Sequence, residues 1–352
     1  MPDNNKKYLA NFMLVIISIL FSLGICEAVV RIFNLAPEIV YIEKWRVRLS
    51  DNPVIGYEPI PKLNSTGKSV QFFGYDGRSN NMGYRDYDHP TKKPDGLTRV
   101  AVFGDSVTAG LWINDDNQVY TTIMEQQLKA KHSDISVMNF GVSGYNTRQE
   151  VETLKVRGMQ FSPDIVVFAY CLNDRWQDDG NIYGALLAEE QSATAGNNIN
   201  RARTNILVRN SALLRMITYK VFPASPSVNP QDTGKAVDAF YEDTIEQAFA
   251  ELAALSKSHG FEVLLVVFPD FGKNDEGLTG NYQYSEEHQK LLQIAQSHNF
   301  DFLDLLEPFK NCKSNAPSGY TISYDRYHPN PFGHRCAGEA IANYISTNME
   351  VD

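Results

Sequence analysis

Two short runs, PDIVVFAY at 163–170 and FEVLLVVFP at 261–269, restrict the fold more than anything else in the chain. Each carries a block of apolar, largely β-branched residues with no polar residue alternating into it. A strand of this kind is covered on both faces, and such strands belong to parallel sheets flanked by helices. Val100–Phe103, Ile135–Phe140 and Phe302–Leu305 read as three further strands. Val119–His132, Thr147–Gly158, Lys235–Ser258, Tyr284–His298 and Pro331–Met349 have helical spacing. Strand–helix alternation with short connections predicts an α/β fold, a parallel sheet with helices on both faces. Ligands of such sheets collect at the carboxyl ends of the strands. Ser106, Gly144 and Asn173 each fall just past one of those ends.

The remaining segments divide the chain. From Leu9 to Cys26, 18 residues carry no formal charge, after Lys6 and Lys7 and before Glu27 and Arg31. That is the short end of what spans a bilayer. A cleaved signal peptide would want an A-x-A-like site, which ICEAVV lacks, and a lipoprotein would want a small residue before Cys26, where Ile25 stands. A buried core helix sits oddly at an extreme terminus. The expectation is a single-pass signal anchor with the main domain on the extracytoplasmic side, although Arg31, Lys44, Arg46 and Arg48 weaken the charge asymmetry. The expected organisation is a tail over 1–7, a transmembrane anchor over 8–30, and a linker and docking segment over 31–98. A main domain over 99–350 follows, with an insertion at about 174–234.

Composition excludes some partners. A formal net charge of -10 offers no basic face for nucleic acid. There is no H-E-x-x-H, phosphate loop or dinucleotide fingerprint, and no CxxC spacing, so neither a metal nor an organic cofactor is expected. Setting aside Cys26, three cysteines remain. Cys312 and Cys336 flank one C-terminal loop and are the pair to test for a disulfide, against the alternative of three reduced thiols.

The chemistry starts at VAVFGDSVTAG, where a strand ends on Gly104-Asp105-Ser106. A serine hydroxyl becomes a nucleophile only with a base within hydrogen-bond reach and a third group orienting that base. Of seven histidines, His132, His259 and His298 sit at expected helix ends, while His89 and His288 lie in polar surroundings. His328 and His334 remain, in SYDRYHPNPFGH. His328 follows the fifth strand, and Asp325 three residues earlier can accept from Nδ1–H while Nε2 faces the serine. Pro329 and Pro331 stiffen this loop. Alone, D-x-x-H equally fits a surface contact. An attacked carbonyl also needs fixed donors. Gly144 in NFGVSGYNT can offer a backbone N–H, Asn173 in CLND a side-chain amide, and Ser106 its own N–H. A tight turn and a polar strand end are the plain alternatives for Gly144 and Asn173. Four such features in order, at one edge of one sheet, favour a site.

GDSV, GVSGYNT, LND and DRYHPNPFGH resemble the ordered blocks of the SGNH hydrolase superfamily, the GDSL esterases, over roughly residues 99–347. The resemblance implies a three-layer α/β/α sandwich around a five-stranded parallel sheet, of flavodoxin-like type. It implies Ser106 as nucleophile, His328 as base and then acid, Asp325 as its orienting carboxylate, and Gly144 and Asn173 in the oxyanion hole. Cys171 stands where the family usually has glycine, and Val107 where leucine is usual. With the N-terminal anchor and NNMGYRD, the chain also looks like a membrane-tethered subgroup linked with exported polysaccharide or envelope metabolism. The implied reaction is hydrolysis of an O-acetyl ester on a glycan or of a lipid ester. An acyltransferase using the same acyl-enzyme and a non-catalytic tethered glycan-binding module are the competing functions.

Overall fold

The computed structural model describes residues 3–33, 35, 46–61, 70–72, 75–172, 182–183, 186–187, 211–221 and 245–351. The chain divides into two compact units, one of residues 1–42 and 184–235, the other of 43–183 and 236–352.

In the first unit a helix runs from Asp3 to Ile32. Its stretch Ala10–Ile32, 23 residues of mean hydropathy 2.5, is long and apolar enough to cross a membrane. Ser18 and Ser22 donate their hydroxyls to the carbonyls of Leu14 and Ser18, so neither presents an unpaired donor along the helix. Near its end, the Glu27 carboxylate accepts from the Ser211 hydroxyl and from the Ala212 and Leu213 N–H groups. These groups open the helix Ala212–Val221, the apolar part of the insertion. A carboxylate on otherwise unpaired N-terminal N–H groups is a favourable cap.

The second unit carries the sheets. Two small antiparallel hairpins come first: β1 (Val47–Leu49) with β2 (Tyr57–Pro59), and β3 (Val70–Phe72) with β4 (Tyr75–Gly77). The main sheet follows with β5 (Thr98–Gly104), β6 (Ile135–Asn139), β7 (Ile165–Cys171), β8 (Glu262–Phe268) and β9 (Asp301–Asp304). All four pairings are parallel, in the order β6-β5-β7-β8-β9. This is the flavodoxin-like order, which reverses at β5 and leaves a crevice at the carboxyl edge there.

Burial on both faces explains the unbroken apolar runs. Alternate residues of β5 divide between two layers: Val100 and Val102 join Tyr120, Met124, Leu264, Phe309 and Ile341 in one core. On the other side Phe103 stacks on Phe140 with ring centroids 4.7 Å apart, and Phe168 meets Phe249 at 6.2 Å. Each such fully buried large side chain contributes about 1.5–3 kcal/mol.

Element ends differ modestly from expectation. The helix after β6 is regular over Thr147–Thr153 and then widens into a π-helical turn over Leu154–Gly158. The expected helix from Lys235 is described from Ile245 to His259, and 235–244 lie outside the described residues. The expected linker and docking segment, 31–98, is rich in aromatic residues, among them Tyr57, Phe72, Phe73, Tyr75, Tyr84 and Tyr87. Tyr57 and Tyr84 are buried, and the Tyr57 hydroxyl donates to the Ser143 carbonyl at 2.8 Å. Phe73 lies outside the described residues.

Candidate active site

Strand β5 ends at Gly104, and Asp105 caps the short helix Ser106–Ala109 by accepting from the Val107 N–H at 2.8 Å. Glycine is required at 104 because a Cβ there would lie 2.1 Å from the Thr108 hydroxyl, which closes the strand-to-helix turn from above. The turn leaves Ser106 at the carboxyl edge of the sheet.

The partners of the serine come from the loop between the helix Leu306–Asn315, which follows β9, and the closing helix Pro331–Asn348. Ser106 Oγ lies 2.8 Å from His328 Nε2, across 222 residues of sequence. His328 Nδ1 lies 2.8 and 2.9 Å from the two oxygens of Asp325. An ionised carboxylate only accepts, so Nδ1 carries the proton and Nε2 is left to accept from the serine. Burial pushes the Asp325 carboxyl up. The His328 imidazole and the Tyr327 and His328 N–H groups outweigh that and hold it below the usual carboxylate range.

The loop is fixed at many points. Asn330 caps the closing helix, accepting from the Phe332 and Gly333 N–H groups, with Pro331 at its first position. The same side chain donates to the Thr321 carbonyl at 2.6 Å. The Tyr324 N–H donates to the His328 carbonyl at 2.8 Å. Buried Asp275 accepts from the Ile322 N–H, the Ser323 hydroxyl and Lys313 Nζ. A disulfide joins Cys312 to Cys336, tying the helix Leu306–Asn315 to the closing helix on either side of this loop.

Gly144 occupies the turn after β6 with φ of 75°, a left-handed conformation that favours glycine. A Cβ there would lie 2.9 Å from both the Tyr57 hydroxyl and Ile182 Cδ1. Asn173 lies outside the described residues. His334, the other histidine of the motif, is buried, and its Nδ1 accepts from the Tyr120 N–H at 3.1 Å. Burial pushes its pKa down to about 3, so it stays neutral.

Several residues here gave no clear signal in the sequence. His288, whose neighbours are polar, is buried: Nδ1 is 2.8 Å from Asp304 and Nε2 is 2.8 Å from the Tyr282 hydroxyl. Arg326, beside Asp325, holds the buried Asp270 at 2.6 Å. The Trp112 ring lies 5.0 Å from the His328 ring. Among the described residues no cluster of His, Cys, Asp and Glu could hold a metal ion.

An α/β sandwich that lines up a serine hydroxyl, an imidazole and a carboxylate at the carboxyl edge of its sheet has the layout of an SGNH-type hydrolase. The chain belongs to the GDSL-like Lipase/Acylhydrolase family, whose model matches residues 102–336. It is therefore an ester-hydrolysing enzyme. No curated protein matches it by sequence. Among solved structures it is similar to the acetyl xylan esterase AlAXEase, with 20% identity, 70% of this chain and 99% of that chain covered, and a TM-score of 0.43. It is also similar to a catalytic mutant of an acetylxylan esterase from Geobacillus stearothermophilus, with 16% identity, 74% and 100% coverage and a TM-score of 0.44.

Proposed function

We propose that the protein is a membrane-anchored serine esterase that removes O-acyl groups, most simply acetyl, from an envelope glycan. The observation that carries this is the line from Ser106 Oγ through His328 to Asp325, with both gaps at 2.8 Å. Ser106 attacks the ester carbonyl carbon and its proton passes to His328 Nε2. Asp325 steadies the imidazolium that forms. His328 gives the proton to the departing alcohol, leaving an acyl-enzyme on Ser106. Water, deprotonated by His328, then releases the acid and frees the serine. The Ser106 and Gly144 N–H groups and the Asn173 amide are assigned to the developing oxyanion.

The setting at the envelope rests on the apolar helix over 8–30 as the anchor, with the sheet-bearing domain outside. The Cys312–Cys336 disulfide supports that side, because such bonds persist in oxidising compartments. Turnover of p-nitrophenyl acetate and octanoate by the full chain in detergent tests the reading. The expected result is a preference for acetate, with hydrolysis lost in Ser106→Ala. Equal turnover by wild type and Ser106→Ala would overturn the nucleophile assignment, and a preference for octanoate would move the substrate to a lipid.

A further inference from the structure

Trp112 is held in a conformation that its side chain does not favour. Its φ is 63°, in the left-handed region that glycine, and at times Asn or Asp, adopts readily and that costs energy for a bulky side chain. It occupies the third position of a turn closed by the Ile113 N–H donating to the Gly110 carbonyl at 3.1 Å. Glycine is the usual residue where that position has positive φ.

A clamp maintains this turn. The Arg85 side chain, 1% exposed, donates from Nη1 to the Gly110 carbonyl and from Nη2 to the Ile113 carbonyl, each at 2.7 Å. Its Nε meets Asp116 at 2.7 Å. One buried guanidinium therefore fixes both carbonyls that bracket Leu111 and Trp112.

The strain does not serve to bury the indole, which remains 38% exposed. It sets the ring against His328, with centroids 5.0 Å apart and planes at 64°, and at 90° to Tyr324, whose ring centroid is 5.9 Å away. Tyr324 is 50% exposed. A strained, braced and solvent-facing aromatic beside the reacting imidazole is a surface prepared for a ligand. Indole neither gives nor takes a proton in this reaction, so beyond packing on the His328 ring it is left to meet substrate outside the scissile bond.

The chemistry of the surface selects the class. Two rings meet at a right angle and stay open to water, and the half-exposed side chains of Asp325 and Arg326 follow Tyr324 in the loop. An acyl chain would gain most from an enclosed apolar channel. A pyranose ring matches an open aromatic shelf better. Its C–H face carries partial positive charge and meets the negative face of an aromatic ring, while its hydroxyls keep their water or polar partners.

We propose that Trp112 and Tyr324 form an aromatic shelf that seats the sugar ring bearing, or next to, the acyl group presented to Ser106. This inference rests on the reading of the protein as a glycan esterase and assigns the residues that hold the sugar.

The test compares methyl 6-O-acetyl-glucopyranoside with ethyl acetate in wild type, Trp112→Ala and Trp112→Phe. The readout is the ratio of the two kcat/KM values, so a general loss of activity cancels. Trp112→Ala should lower the ratio at least tenfold, mainly through KM for the sugar ester, and Trp112→Phe should restore most of it. The proposal is overturned if both esters fall together, if the ratio does not move, or if p-nitrophenyl octanoate suffers the selective loss instead. Failure of the esterase reading looks different: wild type would turn over neither ester. Saturation-transfer NMR with the same acetylated glucoside then decides the shelf by itself. Transfer from wild type to the sugar ring protons that disappears in Trp112→Ala supports it, and no transfer from wild type overturns it.

Discussion

Two histidines in this protein stand between a carboxylate and a hydroxyl. His328 links Asp325 to Ser106, and His288 links Asp304 to Tyr282, with heavy-atom gaps of 2.8 Å throughout. What separates them lies around the line of atoms. The Tyr282 phenol oxygen already accepts from the Asp270 N–H while facing His288. Burial raises its pKa and outweighs the Asp270 N–H, which favours the phenolate, so losing its proton is disfavoured. The His288 side chain is 3% exposed, whereas that of His328 is 13% exposed and faces the ring of a solvent-accessible tryptophan. The first relay ends at a helix start on the open edge of the sheet. The second ends at a backbone amide, and through Asp270 it braces Arg326 in the loop that carries His328. An Asp–His–hydroxyl line is thus a hydrogen-bonding unit that becomes catalytic only where a substrate can reach the hydroxyl.

The sharpest contrast comes from removing each hydroxyl. Ser106→Ala should lower kcat for ester hydrolysis by at least about 10³-fold with an unchanged melting temperature. Tyr282→Phe should keep kcat within about threefold and lose about 1 kcal/mol of stability, the usual net value of one hydrogen bond. Comparable activity losses in the two variants would erase the distinction.

The carboxylates should follow the same division. Asp325→Asn disturbs the tautomer and orientation of His328, and a loss of about 10²–10⁴-fold in kcat is expected. Asp304→Asn should show itself in thermal melts, at about 0.5–2 kcal/mol, because the Leu306 N–H also donates to this side chain. Steady-state kinetics beside melting curves for both variants would check this.

A smaller effect is expected at the bridge between the relays. Arg326→Ala leaves the Asp270 carboxylate only the Gly272 N–H as a donor among the described residues and loosens the loop that carries His328, so kcat should fall about tenfold, with partial recovery in Arg326→Lys. An unchanged kcat would show that Asn330, Asp275 and the disulfide suffice to hold His328.

The smallest effect concerns Glu150, whose buried carboxyl has no hydrogen-bond partner among the described residues. Burial, helped by Asp105, pushes its pKa well up. The folded protein then keeps a proton that the unfolded chain releases above the ordinary value of 4.5, so stability falls as pH rises beyond that point. Glu150→Gln removes this loss. Its melting temperature should gain on wild type as pH rises above 4.5, and parallel profiles would contradict the assignment.

The sheet was legible because strands buried on both faces leave unbroken apolar runs, as in Ile165–Tyr170 and Val263–Phe268. Ser106, His328 and Asp325 were legible as a set because a serine proposed as nucleophile needs a base and an orienting carboxylate, and the structure lines the three up with 2.8 Å gaps. The polar neighbours of His288 in sequence, Glu286, Glu287 and Lys290, gave no sign that it is buried. The better signal was the helical spacing of His288, Leu291 and Ala295, which are all buried together. Trp112 left no signal, since nothing in the sequence marks a tryptophan forced to positive φ. Its brace, Arg85, lies 27 residues away in a segment that reads as turns. Asn173 falls outside the described residues, so its assignment rests on the motif.

The central claim is that one of two similar relays makes a nucleophile. A fluorophosphonate probe, followed by peptide mass mapping of the full chain, tests this most directly. The expected result is a single adduct on Ser106, lost in Ser106→Ala and kept in Tyr282→Phe. An adduct on Tyr282, or none on Ser106, would contradict it.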